Sequence, residues 1–192
     1  MSYHLTPPRM KSVFAQYSGV FSNVEIATLT KYLSEQPVTA GQLIAGKIDQ
    51  EIRRSKVFFI PTTPETRWLY DKMALFVGEA NKKYFNVDIE AIQTIQYTEY
   101  HAEESGTYDD HLDLSPGVIR ARKLSVSVQL TDDTEYAGGD LQLKMNSRAP
   151  VVASRVKGDA LIFPSWILHG VTPVTKGVRK SLVAWVEGPE WR

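Results

Sequence analysis

The sequence predicts a mostly β domain of the α+β class, a sandwich or barrel of short strands with helices ahead of it. Three observations carry that prediction. After Asn86 the chain runs through "IQTIQYTEY", "RKLSVSVQLT", "GGDLQLKM", "APVVASRV", "DALIFPS", "ILHGVTPV" and "KSLVAWVEG", each rich in Val, Ile, Leu, Thr or Tyr and set off by Gly, Pro or Asp. Strands so short and so closely spaced close into sandwiches or barrels. Within "KLSVSVQL", Leu124, Val126, Val128 and Leu130 alternate with Ser125, Ser127 and Gln129, giving one apolar and one polar face. A barrel wall that lines a polar pocket has this pattern. Ahead of the strands stand two segments of helical period.

The first, "SNVEIATLTKYLSEQ", spaces Val24, Ile26, Ala27, Leu29, Tyr32 and Leu33 for one helix face. Ser22, three residues before Glu25, makes a capping box, and Pro37 stops the helix. The second, "TPETRWLYDKMALFVGEANKKYF", opens with Thr63 as N-cap and Pro64 in the first helical position. Trp68, Leu69, Met73, Leu75, Phe76 and Ala80 then supply its buried face. Gly138 and Gly139 are expected in a hairpin or bulge that needs positive φ.

No internal repeat, low-complexity tract or long linker divides the chain, so its 192 residues are read as one domain, with a helical support region over 1–90 and a β-core over 91–192. Composition is ordinary for a globular chain: 43% apolar, 23% charged, 22 basic against 22 acidic residues. The zero net charge gives no general attraction to nucleic acid, and the local group Arg120, Arg122, Lys123 leaves such binding unsupported without excluding it. With no cysteine, disulfides, thiol catalysis and zinc–thiolate sites are absent together, which suits a reducing, cytoplasmic setting. No uncharged apolar run approaches the ~20 residues that span a bilayer, so no membrane association is expected. Oligomeric state is not legible.

Any metal must therefore be held by His, Asp or Glu. In "YDDHLDLSPG", His111 and Asp113 project to one side of a strand while Leu112 points away. The pair alone suits a solvated strand edge as well as a metal site. A third ligand from a distant strand would complete a two-histidine, one-carboxylate face, which holds non-haem Fe(II) and leaves positions open. His169 in "FPSWILHGVTPV" is the candidate, and Arg179, ten residues on, offers a guanidinium fork for a co-substrate carboxylate. His4 and His101 read as ordinary exposed histidines, and Glu103, Glu104, Asp109 and Asp110 as a solvated acidic loop. Ser165 lacks the context of a nucleophile.

These residues, set in "GTYDDHLD", "GGDLQL", "KGDALIFPSWILHGVTPVTKGVRKSLVAWVEGP" and the earlier "IRRSKVFFIP", resemble the Fe(II)- and 2-oxoglutarate-dependent dioxygenases of the prolyl 4-hydroxylase-like, PKHD-type branch. The likeness covers residues ~50–192. It implies a double-stranded β-helix, the cupin-like jelly roll, with supporting N-terminal helices, the catalytic core lying within 91–192. It implies Fe(II) on His111, Asp113 and His169, and 2-oxoglutarate held by Arg179, with O2 as oxidant and ascorbate as a candidate reductant. Tyr100 matches a family position that contacts the co-substrate, although "HAEES" lengthens its spacing to Gly106. Arg122 and Trp185 resemble substrate-side residues. As plain chemistry, Arg122 equally suits a surface position and Trp185 core packing.

The activity so implied is hydroxylation of an unactivated C–H bond, most simply of a prolyl or similar residue in a protein or peptide, with succinate and CO2 as co-products. A free amino acid, small metabolite or nucleobase is the alternative target. A catalytically silent jelly-roll binding module is the alternative of another class.

Overall fold

The computed structural model describes residues 10–41, 49–114, 119–145 and 149–190. His4 and the Pro116-Gly117 pair that ends "YDDHLDLSPG" lie outside them. In chain order the elements are β1 (Ala15–Tyr17), α1 (Asn23–Ser34), β2 (Thr39–Ala40), β3 (Arg53–Arg54), β4 (Lys56–Ile60), α2 (Arg67–Ala80), β5 (Ala91–His101), β6 (Thr107–His111) and β7 (Arg122–Gln129). There follow β8 (Ala137–Gly138), β9 (Leu141–Lys144), β10 (Val151–Val152), β11 (Ala160–Pro164), β12 (Leu168–Val171), β13 (Val174–Lys176) and β14 (Val178–Glu187). A seven-stranded sheet of order β1-β11-β7-β14-β5-β4-β2 faces a five-stranded sheet of order β10-β9-β12-β6-β3. Every strand pairing is antiparallel, and the two sheets form the jelly roll.

Register explains the core. Val126 of β7 lies opposite Ile162 of β11 and Ala184 of β14, and Val128 opposite Ala160 and Leu182. On β5, Ile95 and Tyr97 continue the row. This outer face packs on Ile26, Leu29 and Leu33 of α1 and on Leu69, Met73, Phe76, Val77 and Ala80 of α2, in one buried cluster. Burying a Leu, Ile or Phe side chain is worth ~1.5–3 kcal/mol. The alternate residues, Ser125, Ser127, Phe163 and Trp185 among them, line the space between the sheets.

The helices depart from expectation in their edges. The Ser22–Glu25 capping box forms, but Val24, Ala27 and Leu75 face solvent. Only a narrow stripe of each helix meets a sheet, so the apolar residues flanking it stay outside. The second helix begins at Arg67 rather than Pro64. Residues 64–66 make a turn in which the buried Thr66 hydroxyl bonds to Pro61 O, and that bond satisfies the hydroxyl without a helix.

The front of the chain also supplies strands. β1 pairs with β11, β2 and β4 extend the large sheet beyond β5, and β3 pairs with β6. Three of these are only two or three residues long, too short to show alternation. "ILHGVTPV" divides at Thr172-Pro173 into β12 and β13, which belong to different sheets. Asp109 and Asp110 sit on β6 rather than in a loop, and Asp110 pairs with Lys144 across the sheet. Gly138 and Gly139 have φ of +69° and +66°. A Cβ on Gly138 would stand 2.2 Å from Pro173 O, so the β8–β13 pairing requires glycine there. No helix among the described residues is long and apolar enough to cross a membrane.

Candidate active site

β12 runs antiparallel to β6, and the register sets His169 directly opposite His111. Two residues beyond the end of β6, the N–H groups of Asp113 and Leu114 both donate to Ser165 O at 3.0 Å, which turns the Asp113 side chain inward. The imidazole rings lie 4.2 Å apart between centroids. His169 Nε2 is 3.4 Å from Asp113 Oδ2, and His111 Nε2 is 3.8 Å from Oδ1. The three ligand atoms all lie within 4.8 Å of one another.

Backbone carbonyls set both tautomers. His111 Nδ1 is 2.8 Å from Asp109 O and His169 Nδ1 is 2.8 Å from Ile167 O. A carbonyl only accepts, so each Nδ1 carries a hydrogen and Nε2 is the ring atom that each histidine turns toward Asp113. Burial, and then the neighbouring His169, push the His111 pKa down to about 4. His169 is opposed by burial but raised by the Asp113 charge. Burial works against ionised Asp113 as well, yet the two imidazoles and Ser125 hold it well below the usual carboxylate range. Two imidazoles converging through Nε2 on one ionised carboxylate suit a divalent ion of borderline hardness such as Fe(II), which takes the place of any proton there.

The three open into a cavity of about 780 Å3 between the sheets. Arg179 stands opposite Tyr100 in the β14–β5 register, its guanidinium 5.6 Å from the Tyr100 ring centroid. It is 4% exposed, and its Nη1 donates to Ser181 Oγ at 3.4 Å. No carboxylate of the described residues lies within ion-pair distance of it. A buried cation without a counter-charge is costly unless an anion meets it.

Arg122 donates from Nε to Gln93 Oε1 at 2.9 Å, and its guanidinium lies 4.2 Å over the Trp185 ring. Both residues line the cavity. Buried Trp185 has an indole N–H with no hydrogen-bond partner among the described residues. The structure thus brings together all seven residues singled out from the sequence: His111, Asp113, His169, Arg179, Tyr100, Arg122 and Trp185. His101 stands apart, half-buried against Glu99 at 2.8 Å rather than simply exposed.

Sequence reasoning missed part of the lining. The Tyr108 ring stacks on His111 at 3.7 Å, and Arg53 lies 4.6 Å over the Tyr108 ring. Ile52, Phe59 and Leu112 line the same cavity while keeping 37%, 55% and 42% of their surface exposed. Tyr108 stood in the motif "YDDH"; Arg53 and Phe59 carried no signal beyond their neighbourhood in "IRRSKVFFIP".

Comparison with known proteins meets this geometry from another side. Residues 95–187, which include all seven, match the model of the 2OG-Fe(II) oxygenase superfamily. That stretch, just under half of the chain, resembles the superfamily. Within it the similarity is to PKHD-type hydroxylases. The Synechococcus sp. (strain CC9311) PKHD-type hydroxylase is 40% identical over 85 residues, covering 44% of this chain and 38% of the relative. The Escherichia coli PKHD-type hydroxylase YbiX is 26% identical over 186 residues, covering 88% and 76%. Alignments of 36–40% identity span less than two-fifths of the curated relatives they match. Among solved structures, a Trichoplax adhaerens prolyl hydroxylase in complex with a hypoxia inducible factor peptide fragment superposes with a TM-score of 0.77 at 19% identity, over 92% of this chain and 84% of that one. A Pseudomonas putida prolyl-4-hydroxylase gives 0.75 at 17% identity, over 91% and 92%. These two share the fold.

Proposed function

We propose that the protein is an Fe(II)- and 2-oxoglutarate-dependent hydroxylase, with His111, Asp113 and His169 holding the metal and Arg179 the far carboxylate of 2-oxoglutarate. One observation carries the reading: a preset metal triad and a buried guanidinium that meets no counter-carboxylate among the described residues open into one cavity. Bound Fe(II), with 2-oxoglutarate and O2, supplies the oxidising chemistry that inserts oxygen into a C–H bond and releases succinate and CO2.

The chain's residues do the rest. His111 and His169 offer Nε2 because their Nδ1–H groups are tied to carbonyls, and Asp113 offers a carboxylate ionised across the physiological range. Arg179, supported by Ser181 and bordered by Tyr100, fixes one end of the co-substrate by charge-assisted hydrogen bonds. The apolar wall of Phe163, Leu141 and Val171 keeps water from the reacting region. Arg122 and the Trp185 indole N–H stand as donors for an acceptor on the substrate.

The exposed apolar rim of Ile52, Phe59 and Leu112 favours an extended substrate, a peptide or protein segment such as a prolyl-containing one, over a small metabolite enclosed on all sides. Anaerobic titration with Fe(II) and 2-oxoglutarate, followed by O2 and a succinate assay, tests the class. A weak visible charge-transfer band and slow uncoupled succinate are expected. A folded protein with neither would instead be a silent binding module.

A further inference from the structure

The carboxylate of Asp113 is gripped by more than its own backbone. Ser125 Oγ lies 2.7 Å from Asp113 Oδ2, and Ser165 Oγ lies 3.0 Å from Ser125 Oγ. Both serines are sealed from solvent, at 1% and 0% exposure. An ionised carboxylate only accepts, so Ser125 donates to Oδ2 and its single hydrogen is committed. The second contact can then run one way only, with Ser165 donating to Ser125. Two hydroxyl dipoles in series point at one oxygen of the carboxylate, each polarising the next.

The two serines come from separate parts of the large sheet. Ser125 is on the cavity face of β7, and Ser165 follows the end of β11. Ser165 N–H donates to Lys123 O at 3.0 Å, so the backbone already ties these segments together. Neither hydroxyl is needed to hold the strands, and burying them without partners would cost stability.

We propose that Ser125 and Ser165 are positioning residues for Asp113, acting in series: Ser165 orients Ser125, and Ser125 fixes the rotation of the carboxylate and engages Oδ2, presenting Oδ1 as the stronger metal donor. The proposal rests on the triad reading above. Partners of this kind around a metal ligand typically change metal affinity by ~10–100-fold when removed.

The test is Co(II) affinity of the full chain, by competition with a chromophoric chelator, with thermal melting monitored by circular dichroism as the control for folding. Ser125→Ala is expected to weaken Co(II) binding by ~10–100-fold, and Ser125→Thr, which keeps a hydroxyl, to restore it. Ser165→Ala should weaken binding less. The double variant should bind no more weakly than Ser125→Ala alone, because Ser165 works only through Ser125. Wild-type affinity in Ser125→Ala, or fully additive losses in the double variant, overturns the proposal. Should Ser125→Ala fail to fold, Ser125→Cys, near in size but a poor donor, takes its place with the same expectation. A wild-type chain that binds no Co(II) overturns the triad reading and this proposal together; unchanged binding in the serine variants overturns this one alone.

Discussion

The two faces of the large sheet use alternate residues of the same strands for opposite purposes. On β7, Leu124, Val126 and Val128 pack on the helices, while Ser125 and Ser127 line the cavity. β14 repeats the division, with Leu182 and Ala184 outward and Ser181 and Trp185 inward. The outer face lowers free energy by removing apolar surface from water. The inner face buries Gln96, Thr98, Ser125 and Gln129, which are hydrogen-bonded to one another or to nearby groups and gain little net stability by it. Stability and chemistry can therefore be varied separately at adjacent positions.

Substitutions on each face sharpen that contrast. Asp113→Ala removes the only carboxylate of the triad and should abolish both 2-oxoglutarate turnover and tight Co(II) binding, while circular dichroism shows a folded metal-free chain that melts below wild type because buried Ser125 has lost its acceptor. Undiminished succinate release would remove Asp113 from the site. Arg179→Ala should raise the 2-oxoglutarate KM by the equivalent of about 2–5 kcal/mol, the cost of truncating one partner of a buried charge pair. Its Co(II) affinity without 2-oxoglutarate should hold, and an unmoved KM would place the carboxylate clamp elsewhere. Leu182→Ala, on the opposite face at 0% exposure, should cost about 2–5 kcal/mol of stability in denaturant unfolding. If the faces are independent, the folded variant keeps its metal affinity; a parallel loss of both would break the comparison.

The smallest effect belongs to the rim of the outer face. Glu25 pairs with Lys72 at 2.8 Å and accepts from Ser22 N–H, and these contacts lower its pKa to about 2. A depressed carboxylate stabilises the fold above its unfolded pKa of 4.5, and that contribution disappears as pH falls through about 2. Glu25→Gln should thus melt lower than wild type at neutral pH, with the gap closing between pH 4.5 and 2. A gap that persists at pH 2 would assign the effect to shape rather than charge.

Much of this was legible in the sequence because β7 announces its two faces by strict alternation, and because the His-x-Asp pair, His169 and Arg179 keep informative spacing. β1, β2 and β3 were not legible, since two or three residues carry no period and exist as strands only through their partners. Leu75 and Val24 misled because helical spacing shows which residues could share a face, not how wide a stripe the sheet covers. Arg53 and Phe59 reach the cavity through the pairing of β3 with β6 and β4 with β5, which no local pattern encodes.

The register of β12 on β6 carries a consequence for how the protein comes into being. His111 and His169 meet across an antiparallel pair formed from distant parts of the chain, and a slip of one residue would turn every side chain of β12 to the other surface. Contacts of such long sequence separation close slowly. Metal capture should thus be among the last events of refolding, and the growth of Co(II) binding after dilution from denaturant would time the moment at which the two sheets lock into their final alignment.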